Sequence, residues 1–187
     1  VLPKEVQGDE WLLRELGHYW YADREMARLV AALKERYPEC LIMIVGDHAD
    51  RYNIDKTPSM YERYAVPFIV TGKGVHKGIL LPDSAGSQID IGPTLIELIA
   101  PKGFEYYAVG ASLSRDNRQG VNYGFWITRD FIGEADRVPL EPVQIEGSQG
   151  RGFDEQALQQ YIDTVRSVSW WRPKYGPVLD ERLLEGR

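Results

Sequence analysis

Between Ala22 and Arg36 the apolar residues Met26, Leu29, Val30 and Leu33 stand at i, i+3, i+4 and i+7, which predicts one apolar stripe along a helix. Tyr37-Pro38 ends it, because the residue before a proline is pushed out of the helical region. Leu41 to Val45 follows as five consecutive apolar residues closed by Gly46, the pattern of a strand covered on both faces. The polar, turn-rich stretch from Asp47 to Tyr64 reads as a long loop leaving that strand. A second short strand is predicted over Val66 to Val70, and a compact helix near Pro93, with Leu95, Leu98 and Ile99 on its apolar face. Val121 to Thr128 and Arg137 to Ile145 read as strands, and Pro139 and Pro142 confine the second to a sheet edge or an extended loop. The last element predicted is a helix from an Asp154 N-cap to about Trp170, with Leu158, Tyr161, Ile162, Val165 and Val168 on one side. Helices alternating with buried strands predict an α/β chain: a mainly parallel sheet with helices on both faces.

Composition narrows the partners. With 187 residues and 43% hydrophobic content the chain is long enough for one domain over residues 1–187. A net charge of −6 argues against nucleic acid, which calls for a clustered basic face. No apolar run approaches the ~18 to 20 residues that span a bilayer. Cys40 is the single cysteine, so neither an internal disulfide nor a multi-cysteine zinc site forms within the chain. The chain opens on Val1, which fits an excised or processed segment of a longer protein.

The stretch Leu41-Ile-Met-Ile-Val-Gly-Asp-His48 carries the most chemical information. It presents a carboxylate and an imidazole side by side at the tip of a buried strand, a pairing that suits a divalent cation. Two ligands are too few, and Asp50, Asp55 and Glu62 are the local candidates for others. Spacing alone favours a plainer reading, in which Asp47 caps a turn and His48 makes a surface hydrogen bond.

Resemblance reverses that preference. YADREMARLVAALKERYPECLIMIVGDH (21–48), VPFIVTGKG (66–74) and GSQIDIGPTLIELI (86–99) resemble, in order and approximate spacing, three blocks of the sulfatase and lipoteichoic-acid-synthase-like families of the alkaline phosphatase superfamily. The likeness covers about the first 113 residues, ending at YAVGASL (107–113). It implies the C-terminal portion of an alkaline-phosphatase-like, sulfatase-type catalytic domain, with Asp47 and His48 as metal ligands. Asp90 and Thr94 match structural positions of the third block. Relatives usually carry Gly or an aromatic after the Asp-His pair, whereas Ala49-Asp50 stands here.

The sulfatase nucleophile motif, C/S-x-P-x-R, does not occur, since Cys40 is followed by Leu41. The resemblance therefore implies that the nucleophile and an acidic ligand belong to an N-terminal half of the parent enzyme. It further implies a phosphate- or sulfate-ester substrate, one divalent metal ion (manganese, zinc or calcium), and a parent at the bacterial cell membrane with its catalytic domain outside the cytoplasm. Sheet edges exposed without the N-terminal half would favour self-association, so a homodimer is also expected. A non-catalytic domain of the same fold that binds a partner or a glycan is the rival.

Weaker signals have plainer readings. His76 is a candidate substrate-binding group, though a lone loop histidine is more often solvated. His18, within His-Tyr-Trp-Tyr, is another, with packing among aromatics ahead of the first helix as its alternative. Gly72-Lys73-Gly74 lacks the phosphate-loop order and reads as a turn. Gly147-Ser148-Gln149-Gly150 has no buried strand before it and is discarded as a nucleophile elbow. Trp170-Trp171 reads as an anchor of the terminal helix against the domain, or as an aromatic platform for sugar, lipid headgroup or partner.

Overall fold

A computed structural model describes residues 9–49 and 57–175. The chain packs as two compact units, 1–77 and 78–187.

The first unit opens with α1 (Glu10–Arg36), capped by Asp9, whose side chain accepts a hydrogen bond from the Leu12 amide. The helix therefore starts a dozen residues before Ala22, where the predicted stretch begins. β1 (Leu41–Val45) falls on the predicted residues and is followed, within the expected loop, by a short helix α2 (Met60–Tyr64). β2 (Phe68–Gly72) returns antiparallel to β1, in a register that pairs Leu41 with Gly72 and Val45 with Phe68. Gly72 has φ of 120°, and a Cβ there would sit 2.2 Å from the Cys40 carbonyl oxygen, so only glycine closes this end of the ladder. Lys34 reaches from α1 to the Thr71 hydroxyl at 2.6 Å. Among the described residues of this unit none is buried.

The second unit holds the core. A turn of 3-10 helix over Gln88–Asp90 leads into α3 (Ile91–Ile99). Four strands, β3 (Gln119–Val121), β4 (Phe125–Thr128), β5 (Phe131–Glu134) and β6 (Val143–Gln144), form an antiparallel sheet in sequence order. α4 (Glu155–Tyr175) lies against β3 and starts at Asp154, which accepts from the Ala157 amide at 2.9 Å. Val121, Trp126, Ala135, Leu158, Ile162 and Val165 are buried together, with Phe153 stacked at a tilt on Trp126, ring centres 5.4 Å apart. Three residues of the predicted terminal stripe thus reach the core.

Helices and strands mix as the α/β class requires, yet every strand pair among the described residues is antiparallel. An apolar run reports that a strand is covered, not which way its neighbour runs. Direction follows from the connections, and the short loops at 122–124 and 129–130 permit only hairpins. The stretch predicted as one strand over 121–128 is such a hairpin, turned at Asn122-Tyr123-Gly124. Of the 137–145 stretch only Val143–Gln144 pairs, at the sheet edge, as its two prolines require.

Candidate metal centre

Asp47 and His48 bend away from the end of β1, where the chain leaves the ladder after Gly46 donates to the Pro67 carbonyl at 3.0 Å. The His48 amide donates to Asp47 Oδ1 at 3.0 Å, holding the Asp47 carboxylate against the backbone. His48 Nδ1 lies 2.6 Å from the Ala49 carbonyl oxygen. A carbonyl only accepts, so Nδ1 carries a proton, which in the neutral imidazole leaves the lone pair on Nε2, the arrangement that orients a metal-binding imidazole. Nε2 stands 3.7 Å from Asp47 Oδ2. Two ligands on one tetrahedral ion at bond lengths of about 2.0–2.2 Å lie roughly 3.3–3.6 Å apart, so the pair fits half of a zinc-like site with little adjustment. Both side chains are open to solvent, Asp47 at 90% and His48 at 45%.

Further ligands are not assembled around the pair: among the described residues no group of three or more His, Cys, Asp or Glu side chains is placed to hold an ion. Asp50 and Asp55 lie outside the described residues. Glu62 is occupied locally, since its Oε2 accepts from the Ser59 amide at 2.7 Å and the Ser59 hydroxyl at 2.8 Å in a capping box that starts α2. His18 sits on α1 and is exposed, so it neither precedes the first helix nor packs in an aromatic core. His76 is exposed in the turn after β2, with Nδ1 3.1 Å from the Lys77 carbonyl oxygen.

The second unit carries two buried carboxylates with structural work. Asp90 accepts from the Ser87 amide and, through its other oxygen, from the Ala111 amide, each at 2.7 Å. Thr94 donates its hydroxyl to the Asp90 carbonyl at 2.6 Å and accepts the Leu113 amide at 2.9 Å. Together they bind the 110–113 turn to the start of α3, so the positions matched to the third sequence block are latches. A Cβ on Gly110 would stand 2.4 Å from the Ile89 carbonyl oxygen, which is why a glycine opens this turn. Burial raises the Asp90 pKa above its ordinary value, against the pull of the Ser87 and Ala111 amides. The Tyr161 hydroxyl is pushed up to about 12 by burial and by the charge of Asp90.

Asp130, at the β4–β5 turn, is gripped by Arg151, with Nε to Oδ2 at 2.7 Å and the second guanidinium nitrogen to Oδ1 at 3.1 Å. The Gln149 and Arg151 amides complete the grip, and the Ser148 hydroxyl bonds the Asp130 carbonyl, so the Gly-Ser-Gln-Gly stretch is the strap of this clamp. The Arg151 hydrogen bonds, opposed by burial, hold Asp130 at about 2, below the ordinary 3.8. Its folded pKa lies below its unfolded one, so this contribution is complete above roughly pH 4 and is lost as the pH falls towards about 2. Asp130→Asn is expected to lose stability at neutral pH and to show a shallower acid-induced decline than the parent chain. Urea midpoints taken from about pH 5 to about pH 2 check this, and parallel declines would contradict it.

Trp170 is 62% and Trp171 43% exposed, and with Tyr123, Asn122, Ile89 and Arg166 they line a cleft of about 1030 Å³.

No family model matches the chain, and no curated protein matches it. Among solved structures, the lipoteichoic acid synthase LtaP from Listeria monocytogenes aligns over 89% of this chain with a TM-score of 0.57 and 18% identity. The chain shares its fold with LtaP. It spans 47% of the LtaP chain, somewhat under half. At the level of fold, the LtaP likeness agrees with the lipoteichoic-acid-synthase part of the resemblance seen in the three sequence blocks. Among the described residues no helix is long and apolar enough to cross a membrane.

Proposed function

We propose that the chain is the C-terminal part of a metal-dependent enzyme that transfers or hydrolyses a phosphate or sulfate ester, with phosphoglycerol transfer as the reaction the LtaP likeness favours. The observation that carries this reading is the β1 tip: His48 fixed in one tautomer by the Ala49 carbonyl, its Nε2 within 3.7 Å of Asp47 Oδ2, in a fold shared with a lipoteichoic acid synthase. In this reading Asp47 and His48 hold one side of a divalent ion. The bound ion supplies charge stabilisation on the transferred group. Manganese or zinc suits a mixed oxygen and nitrogen pair; calcium prefers more oxygen. This chain's own contribution is orientation. The His48 amide locks the Asp47 carboxylate and the Ala49 carbonyl locks the imidazole, so both donors are set before the ion arrives. The remaining ligands and the hydroxyl or formylglycine nucleophile come from the N-terminal half of the parent. Its place would be the bacterial cell membrane, with this domain on the outer side, as in the phosphoglycerol-transferring relatives the sequence resembles.

The full-length protein is expected to turn over an aryl phosphate, an aryl sulfate or a phosphoglycerol lipid with an added divalent metal, and this chain alone none of them. Turnover by the isolated chain, or none by the full-length protein with manganese, zinc and calcium each tried, would refute the assignment. A second reading, a non-catalytic domain that binds a glycan or partner, is favoured by the exposed aromatic cleft at Tyr123, Trp170 and Trp171. Glycan binding that survives loss of Asp47 and His48, in a protein without ester turnover, is its signature.

A further inference from the structure

The buried stripe of α4 stops before the helix does. Leu158, Ile162 and Val165 are buried, and the next position on that face, Ser169, is exposed. The helix nevertheless continues to Tyr175, so residues 166–174 run on beyond its last buried position. This extension carries two tryptophans into solvent. Tyr123, 86% exposed at the turn between β3 and β4, lines the same cleft.

Charge follows the same bias. The chain carries −6 overall, yet residues 164–175 hold Arg166, Arg172 and Lys174 and no acidic residue. Arg166 lines the cleft, one guanidinium nitrogen held at 2.9 Å by the Ala135 carbonyl. Lys174 Nζ lies 4.6 Å from the centre of the Trp170 ring, so a cation and an indole share one surface. Rings with an apolar body and a polar edge settle in the headgroup layer of a bilayer, and basic side chains beside them are drawn to anionic headgroups. A neutral glycan uses aromatic faces but gains nothing from the cations, and nucleic acid calls for a broader basic face.

We infer that the end of α4, with Tyr123 beside it, docks on an anionic lipid surface. Trp170 and Trp171 lie at the depth of the headgroups, and Arg166, Arg172 and Lys174 meet the phosphates. The contact is peripheral, since among the described residues no helix is long and apolar enough to cross a bilayer. It stands on α4 and the β3–β4 turn and not on Asp47 and His48, so it survives a failure of the ester chemistry.

Flotation of the 187-residue chain with vesicles tests it. Equimolar phosphatidylglycerol and phosphatidylcholine are expected to bind the chain at least ~10-fold more tightly than phosphatidylcholine alone, a difference that fades at high salt. Trp170→Ser with Trp171→Ser, and separately Arg172→Gln with Lys174→Gln, are each expected to weaken that binding by roughly 10-fold or more. These side chains are exposed, so unchanged urea midpoints separate weaker binding from unfolding. Trp20→Ser, at an exposed aromatic on α1, should leave binding unchanged. The unmodified chain gives a second readout, a blue shift of its tryptophan emission on the anionic vesicles. No preference for anionic vesicles, an unmoved emission spectrum, or binding that is lost with Trp20 and kept in both α4 double variants overturns the inference. Displacement by millimolar glycerol phosphate assigns the cleft to a soluble anion and overturns it too. Retention on chitin that the α4 variants abolish, without lipid binding, assigns it to a glycan and does the same.

Discussion

Replacing His48 with alanine in the full-length protein is expected to strip the divalent metal to background and to lower turnover by far more than the ~10–100-fold that loss of an outer-shell partner costs. The reason is geometric. Nδ1 is committed to the Ala49 carbonyl, so the imidazole offers one lone pair, at Nε2, and among the described residues no cluster of three or more ligating side chains stands ready to replace it. Asp47→Ala should do the same by removing the second donor, and with it the hydrogen bond that fixes the His48 amide. Both residues are exposed, so stability should shift by no more than about 0.5 kcal/mol, and loss of metal is then not a folding effect. Elemental analysis of purified variants, alongside their thermal melts, decides the matter. Metal retained in both variants would show that the ion sits elsewhere.

Trp126→Ala should destabilise the second unit by about 3–5 kcal/mol, the largest structural effect we expect. Trp126 is fully buried, stacked on Phe153, and so close over Gly133 that a Cβ there would meet its ring at 2.4 Å. Among the described residues its indole nitrogen has no hydrogen-bond partner, so its contribution comes from the ring's volume and its contact with Phe153. Trp126→Phe should therefore cost markedly less, roughly 1–3 kcal/mol, because most of the cavity stays filled and no protein hydrogen bond is broken. Urea unfolding of both variants checks this, and equal losses would show that the indole N–H matters after all.

The sequence was most readable where a single local rule governed the outcome. β1 was legible to the residue because five apolar positions end at a glycine, and the start of α4 because Asp154 precedes an unbroken stripe. The early start of α1 was hidden, since aromatic residues crowd 18–21 and blur the apolar period, although Asp9, three residues before the Leu12 amide that it caps, is a usable cap signal. β5 was missed because Phe131–Glu134 is only four residues long and its glycine makes room for a tryptophan. Strand direction was beyond reach for a physical reason: hydrophobicity reports burial, and both pairing modes bury the same side chains. At the site, Asp47 and His48 stood out only through resemblance. The Ala49 carbonyl that selects the tautomer is a backbone group and leaves no mark in a sequence. The Asp130–Arg151 clamp joins residues 21 apart through a loop without periodicity, so no pattern announces it.

The latch formed by Asp90 and Thr94 has a consequence for how this protein can vary. It fastens the 110–113 turn to the foot of α3, while Tyr106 and Arg115 both reach back to Glu97 within the same helix. The exposed tip at 101–105 hangs between these fixed points. Lengthening a loop whose ends are pinned adds little closure entropy, so the tip is a natural position for insertions, tags or a new pair of chain ends.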